Sequence, residues 1–502
     1  MELLNSVLVW VLKKRIHQME LFMKYPQDVQ NELFKKLIQN AQKTEWGQKF
    51  GYTGIQSFKT FQERVPISQY EDMFPYIERT MKGEQDLLWP GKVKWFAKSS
   101  GTTNARSKFI PVTKESLEDC HYKAGKDMLS LFIHNRPETK VFTGKGLSIG
   151  GSHQVNPLNP ETIYGDVSAI IVKNLPYWAQ FIRTPKVDIA LMEHWEEKIE
   201  AMANYTLKEN VTSMLGVPTW TVLLIQKILE KTNSTHIHEV WPNLEVFLHG
   251  AVAFGPYQSL FDKLITNKNM NYMEIYNASE GFFGIEDTIG RKDMLLMLDY
   301  GIFYEFIPMD EIDKEHPKTL LLEEVELGKN YAMVISTNAG LWRYVIGDTV
   351  KFTSKYPFRI KITGRTKHFI NAFGEELIIE NAEYALSKAI ENTGAIINNF
   401  TAAPIYLDAN QKGGHEWLIE FEKEPHSIET FVNILDDTLR VINSDYDAKR
   451  TGDKAMVKLK LVNAPKGTFY NWLREKGKLG GQFKVPRLSN NREILEEIKR
   501  YI

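Results

Sequence analysis

A loop of hydroxyls strung between two apolar strands constrains this chain more than any other feature. Residues 97–108 read Ala-Lys-Ser-Ser-Gly-Thr-Thr-Asn-Ala-Arg-Ser-Lys. Ser99, Ser100, Thr102 and Thr103 surround Gly101, and Lys108 closes the run. Hydroxyls, backbone N–H groups around a glycine and one ammonium suit a polyphosphate. The order of a P-loop, G-x-x-x-x-G-K-[ST], is absent. A Ser/Thr/Gly run also suits an ordinary surface loop. The flanks favour binding: Val93–Ala97 and Phe109–Val112 read as strands entering and leaving the loop, which would hold it in place.

At 502 residues the chain exceeds one ordinary core, so at least two domains are expected. With 62 basic against 63 acidic residues, bulk charge favours neither nucleic acid nor an anionic membrane. The single cysteine, Cys120, excludes an internal disulfide and a Cys-rich zinc site, and fits a reducing, cytoplasmic setting. Leu3–Leu12 is apolar and is followed by Lys13, Lys14 and Arg15, the reverse of a signal peptide. It is also too short to span a bilayer, so it reads as an amphipathic helix packed on its domain.

Periodicity near 3.6 predicts helices over 29–42, 114–134, 195–207, 219–229, 255–265, 378–390 and 427–441. Strands are predicted at 244–248 and 273–276. Short alternating strands follow at 303–306, 319–322, 331–337 and 342–346, an antiparallel or barrel-like texture. A last strand, 359–362, leads into Gly364-Arg365, where we place the boundary of a compact α+β module.

Four further segments carry chemistry. Tyr276-Asn277-Ala278-Ser279-Glu280 follows a strand and offers an aromatic face, a hydroxyl and a hard oxygen ligand suited to Mg²⁺. Asp348, after Gly347 at a strand end, suits both hydroxyls of a ribose. Gly364-Arg365-Thr366-Lys367, followed by Phe373-Gly374-Glu375-Glu376, suits a hinge with an anion-binding arginine. Lys484, between Phe483 and Val485 after a glycine-rich stretch, could neutralise charge at an attacked phosphate. A strand end, a Gly-Asp turn, an exposed basic turn and a solvated lysine are the plainer readings of the same residues.

In this order and spacing the segments resemble the Gretchen Hagen family of auxin-responsive acyl acid-amido synthetases, especially its bacterial members. That family belongs to the acyl-adenylate-forming enzymes, with acyl-CoA synthetases and firefly luciferase. The resemblance covers nearly the whole chain. Ser99–Thr103 with Lys108 matches the phosphate-binding motif, Tyr276–Glu280 the adenine and metal motif, and Trp342–Asp348 the ribose motif. Gln482–Arg487 is similar to the C-terminal lysine segment, and Gly250-Ala251 falls at the adenine-pocket turn. Ala105 replaces a usual glycine, and Trp342 stands where plant members have tyrosine.

The resemblance implies a mixed α/β and α+β fold. A large N-terminal adenylate-forming domain, with mixed sheets, helices and a β-barrel-like subdomain, would occupy 1–364. A small mobile α+β lid would occupy 365–502. It implies ATP and Mg²⁺, a small carboxylic acid and an amine as partners, and Lys484 and Arg365 as catalytic residues. Glu280 would hold the metal, and rotation about Gly364-Arg365 would separate two half-reactions. A thioester-forming acyl-CoA ligase shares the first half-reaction. Adenylation of an ionised carboxylate needs no general base, so His153, His249 and His368 are read as structural.

Overall fold

The computed structural model describes residues 2–99, 108–151, 153–156, 159–251, 254–312, 314–366, 370, 372, 375, 377–405, 413–443, 446–447, 450, 456–477, 484–489 and 491–502. The chain divides into two compact units, one of Met1–Ala251 and Ile265–Lys361, the other of Val252–Leu264 and Ile362–Ile502.

In the first unit β1 (Trp95–Ser99) and β2 (Lys108–Val112) bracket the hydroxyl loop, and pair antiparallel. The next strands are β3 (Lys145–Ser148), β4 (His153–Val155), β5 (Ile163–Gly165), β6 (Arg183–Thr184), β7 (Val211–Gly216) and β8 (Val246–Gly250). They are followed by β9 (Asn271–Ala278), β10 (Gly281–Ile285), β11 (Met294–Leu296), β12 (Ile302–Pro308), β13 (Asn330–Thr337), β14 (Tyr344–Lys355) and β15 (Phe358–Arg365). A four-stranded sheet runs β2-β1-β5-β4, and an eleven-stranded sheet runs β12-β13-β14-β15-β11-β10-β9-β8-β7-β3-β6. Strands β6, β3, β7, β8 and β9 are parallel, and the pairings from β9 through β10 and β11 to β15 are antiparallel.

The parallel half follows from its connections. Pro218, whose fixed φ suits a first helical residue, opens the helix Pro218–Thr232 between β7 and β8, and Asn233 at φ +54° ends it. Crossovers of that length are what parallel pairing needs. The antiparallel strands form part of the same sheet as the parallel ones. The segment 319–322 makes only an isolated bridge, Phe306 to Leu320, and then a turn at Leu322–Glu324, so it is no strand. The glutamate side chain at 324 caps that turn through the Leu321 N–H, 2.8 Å away, which ends the extended run. The helix expected over 114–134 opens as a π-helix, Ser116–Tyr122, before the α-helix Lys123–Asn135.

The second unit has a three-stranded sheet, β16 (Ile396–Ile405), β17 (Gly414–Lys423) and β18 (Lys460–Ala464), with β17 central. The helix Ile428–Ile442 is capped by Ser427, whose hydroxyl accepts from the Thr430 N–H at 3.2 Å. Phe431, Leu435 and Leu439, four apart, form its buried face. Residues 254–264, which lie between β8 and β9 in sequence, belong to this unit: Tyr257 accepts a hydrogen bond from Arg487 at 2.9 Å. No described helix is long and apolar enough to cross a membrane.

Candidate functional site

Strand β8 ends at Gly250, fully buried. A Cβ there would stand 2.4 Å from the Ile275 carbonyl oxygen, so only glycine lets β8 and β9 approach so closely. Ala251 follows at φ +73°, a left-handed conformation costly for an L side chain. Such strain at the carboxyl end of a parallel strand is where open α/β sheets bind ligands.

Next to this turn, β9 carries Tyr276. Its hydroxyl donates to Asp348 Oδ2 at 2.7 Å, and both residues are buried. Strands β9 and β14 are four strands apart in the sheet order, about 19 Å in a flat sheet. A tyrosine and an aspartate cannot bridge that, so the sheet curls on itself, as the barrel-like texture of the sequence predicts. The Tyr276 ring packs against Phe283 at 4.8 Å between centroids and is 4% exposed. As it stands, Tyr276 orients Asp348 and offers little open face. Asn277 and Ala278 complete β9, and Ser279 and Glu280 form the hairpin into β10, both buried.

Glu280 and Ser279 line a cleft with Ser116 and His121 of the π-helix and Thr337 and Asn338 at the end of β13. The Thr113 hydroxyl donates to the Asn338 carbonyl at 2.8 Å, tying the two walls. Burial holds His121 down at about 4, so the imidazole is neutral near pH 7. π-Turns are frequent at functional sites, and no sequence periodicity announces this one.

Lys108 begins β2, and its ammonium stands 5.5 Å from the centre of the Tyr70 ring. The Tyr70 hydroxyl accepts the Phe109 N–H at 2.8 Å, and burial pushes its own proton affinity up to about 12, with Glu280 a smaller contributor. Tyr70 thus ties β2 to the helix Tyr70–Met81. Sequence reasoning missed it, because nothing local marks a helical tyrosine that reaches a strand near residue 109.

Other expected residues divide as follows. Ser100, Gly101, Thr102 and Thr103 lie outside the described residues, as do His368, Gly374 and Glu376. Ser99 and Arg365 are described in backbone only, at the ends of β1 and β15. The side chain of His153 is likewise outside. Lys484 is exposed and belongs to the second unit. His249 is buried, and burial lowers it to about 3, which fits a structural neutral ring. Glu375 is buried against His415 Nε2 at 2.8 Å, a structural pair. Arg343, inside the expected ribose motif, is a tie of the core: it donates to Glu305, Thr319 Oγ1 and the carbonyls of Gln62 and Val65.

Among the described residues no group of three or more His, Cys, Asp or Glu side chains could hold a metal by itself. The carboxylate of Glu280, beside Ser279, is a hard oxygen donor of the kind that could contribute one ligand to a Mg²⁺ ion.

Profiles described as GH3 family N-terminal domain, GH3 family central domain and GH3 family C-terminal domain match residues 15–270, 295–365 and 349–493. The indole-3-acetic acid-amido synthetase GH3.3 of Arabidopsis thaliana is 24% identical, with 93% of this chain and 90% of that protein aligned. The jasmonoyl-L-amino acid synthetase JAR4 of Nicotiana attenuata is 23% identical over 94% and 92%. Among solved structures, the GH3.15 acyl acid amido synthetase superposes with a TM-score of 0.78 at 17% identity, covering 97% of this chain and 96% of that one. A 2-hydroxyisobutyryl-CoA ligase in complex with 2-HIB-AMP superposes at 0.61 and 11% identity, covering 94% and 90%. These superpositions give the fold.

Proposed function

This chain belongs to the GH3 family, and from that premise we propose that it is an ATP-dependent acyl acid-amido synthetase. A carboxylate attacks the α-phosphate of ATP, giving an acyl-adenylate and pyrophosphate. An amine, in our reading that of an amino acid, then attacks the acyl carbon, and AMP leaves. A carboxylate is a poor electrophile, and adenylation supplies the leaving group. The first step calls mainly for positioning and charge neutralisation.

The observation that carries this reading is the Tyr276–Asp348 hydrogen bond beside the strained Gly250-Ala251 turn. It holds a buried carboxylate at the bulge within β14, where it would accept ribose hydroxyls, and the turn at the end of β8 would face an adenine. Ser99, Ser100, Gly101, Thr102, Thr103 and Lys108 are assigned to the phosphates. Glu280 would hold Mg²⁺, which would supply positive charge to the polyphosphate. Lys484 neutralises charge as the α-phosphate is attacked, and Arg365 assists at the hinge. A cytoplasmic location accords with the single cysteine and the ATP requirement.

The thioester-forming alternative shares this adenylation, and the fold likeness to a CoA ligase does not separate the two. The names of the relatives, amido synthetases along nearly their whole length, favour the amide. ATP–pyrophosphate exchange against a panel of aromatic, indolic and aliphatic acids tests the first step. Mass detection of products with amino acids or coenzyme A tests the second. Acid-dependent exchange with an amide product is expected, and a thioester alone would reject the amide reading. Lys484→Ala should lower exchange at least 100-fold while calorimetry finds ATP affinity nearly unchanged.

A further inference from the structure

Four arginines are buried among the described residues: Arg183, Arg343, Arg359 and Arg450. Three face a carboxylate: Arg343 pairs with Glu305, Arg359 with Asp287 and Arg450 with Asp436. Arg183 faces none. It is 8% exposed, and its hydrogen bonds go to neutral oxygens, Gln180 Oε1 at 3.3 Å and Ser148 Oγ at 3.2 Å. Its Nε has no partner. A guanidinium offers five N–H donors, and burying one without a counter-charge is strongly unfavourable. Burial lowers its proton affinity, with no acidic neighbour to restore it.

The position is informative. Arg183 opens β6 and reaches the end of its parallel neighbour β3, at Ser148. The chain just beyond, Gly150 and Gly151, has both carbonyls bound by the buried ammonium of Lys198. Two buried cations therefore converge on the carboxyl end of β3, with Asp166 the acidic group near Lys198. In the order β8-β7-β3-β6, this end lies two to three strands from Gly250, about 10–14 Å. That is within the length of one small organic molecule lying across the strand ends.

We propose that Arg183 is a carboxylate-binding residue and that its missing partner is a carboxylate of a substrate. Two sources share this chemistry: the far carboxylate of a dicarboxylic acid substrate, or the carboxylate of the amino acid acceptor. The assignment of the ligand as substrate rests on the amido synthetase reading; the binding itself does not.

Thermal unfolding of the full chain tests the binding without ATP or turnover. The probes are glutarate and glycine, with glycinamide and sodium chloride at matched ionic strength as controls. We expect glutarate or glycine to raise the wild-type Tm by 2 °C or more above the controls. Arg183→Met should melt above wild type without ligand, since an unpaired buried charge is gone, and should lose that response. Arg183→Lys should keep part of it. A response to glutarate alone assigns the acid, and one to glycine assigns the acceptor. The proposal is overturned if no carboxylate exceeds the controls, or if Arg183→Met responds as wild type does. Failure here leaves pyrophosphate exchange intact, and failure of exchange leaves this result standing.

Discussion

The Tyr276 hydroxyl and the Asp348 carboxylate are the contact on which the nucleotide reading turns. Tyr276→Phe removes one buried hydrogen bond to a charged acceptor, worth about 1.5–3 kcal/mol, so ATP affinity should fall about tenfold or more by calorimetry. Unchanged affinity would mean that Asp348 is oriented without it. On the same strand Glu274 shows a different residue-scale effect. Burial first, and then the charge of Glu286, raise its carboxyl from 4.5 to about 7, with Lys361 opposing. The folded protein therefore holds a proton that the unfolded chain releases, and stability falls as pH rises from 4.5 to about 7. Glu274→Gln should flatten that slope and add up to about 3 kcal/mol at pH 8, read from melts across pH. At this scale only local chemistry can be marked by sequence: Tyr276 and Glu280 were marked by a strand and its turn, and Asp348 by its neighbouring glycine, although the strand end expected at Asp348 is the interior of β14, where a bulge precedes renewed pairing with β13 at Thr349. Tyr70 and His121 were not, because their roles depend on contacts with residues far along the chain.

Between elements, Arg343 ties several segments of the first unit together. Its guanidinium donates to Glu305 on β12, to Thr319, and to two carbonyls in and after the helix Phe58–Arg64, and its own φ is +44°. Every one of its donors is used, which is what makes a buried charge tolerable. Glu305→Ala strands that charge and should cost about 3–5 kcal/mol in denaturant unfolding. Glu305→Gln, which keeps an acceptor for Thr319, should cost less. A loss below about 1 kcal/mol for the alanine variant would show that β12 and β14 hold Arg343 by other means. Elements as such were legible: the helices at 195–207, 219–229, 378–390 and 427–441 follow from apolar spacing, which is a property of single segments. Sheet order was not. That β11 lies between β10 and β15, and that 319–322 makes one bridge instead of a strand, depends on pairing between segments with no shared pattern.

The whole molecule poses the question of how one site serves two reactions. The residues proposed for the nucleotide, Gly250, Tyr276, Glu280 and Asp348, belong to the first unit, and Lys484 belongs to the second. We propose, as the sequence suggested, that the chain turns at Gly364-Arg365 between adenylation and amide formation. The first unit ends at Lys361, three residues before Gly364, whose φ of +153° suits glycine. The segment Val252–Leu264 adds a constraint that sequence order hides. It leaves the first unit directly after the Gly250-Ala251 turn and packs in the second, where Tyr257 accepts from Arg487, three residues from Lys484. Any rearrangement of the second unit must therefore be accommodated at both Gly364 and Ala251, the latter already strained. If rotation at Gly364 is required only for the second step, Gly364→Pro, which fixes φ near −65°, should separate the steps. Pyrophosphate exchange should stay within about threefold of wild type, while amide formation falls at least tenfold. An equal loss in both would place the requirement before adenylation. An equal retention would move the pivot to the Ala251 side, where the strained turn is the remaining point of flexure.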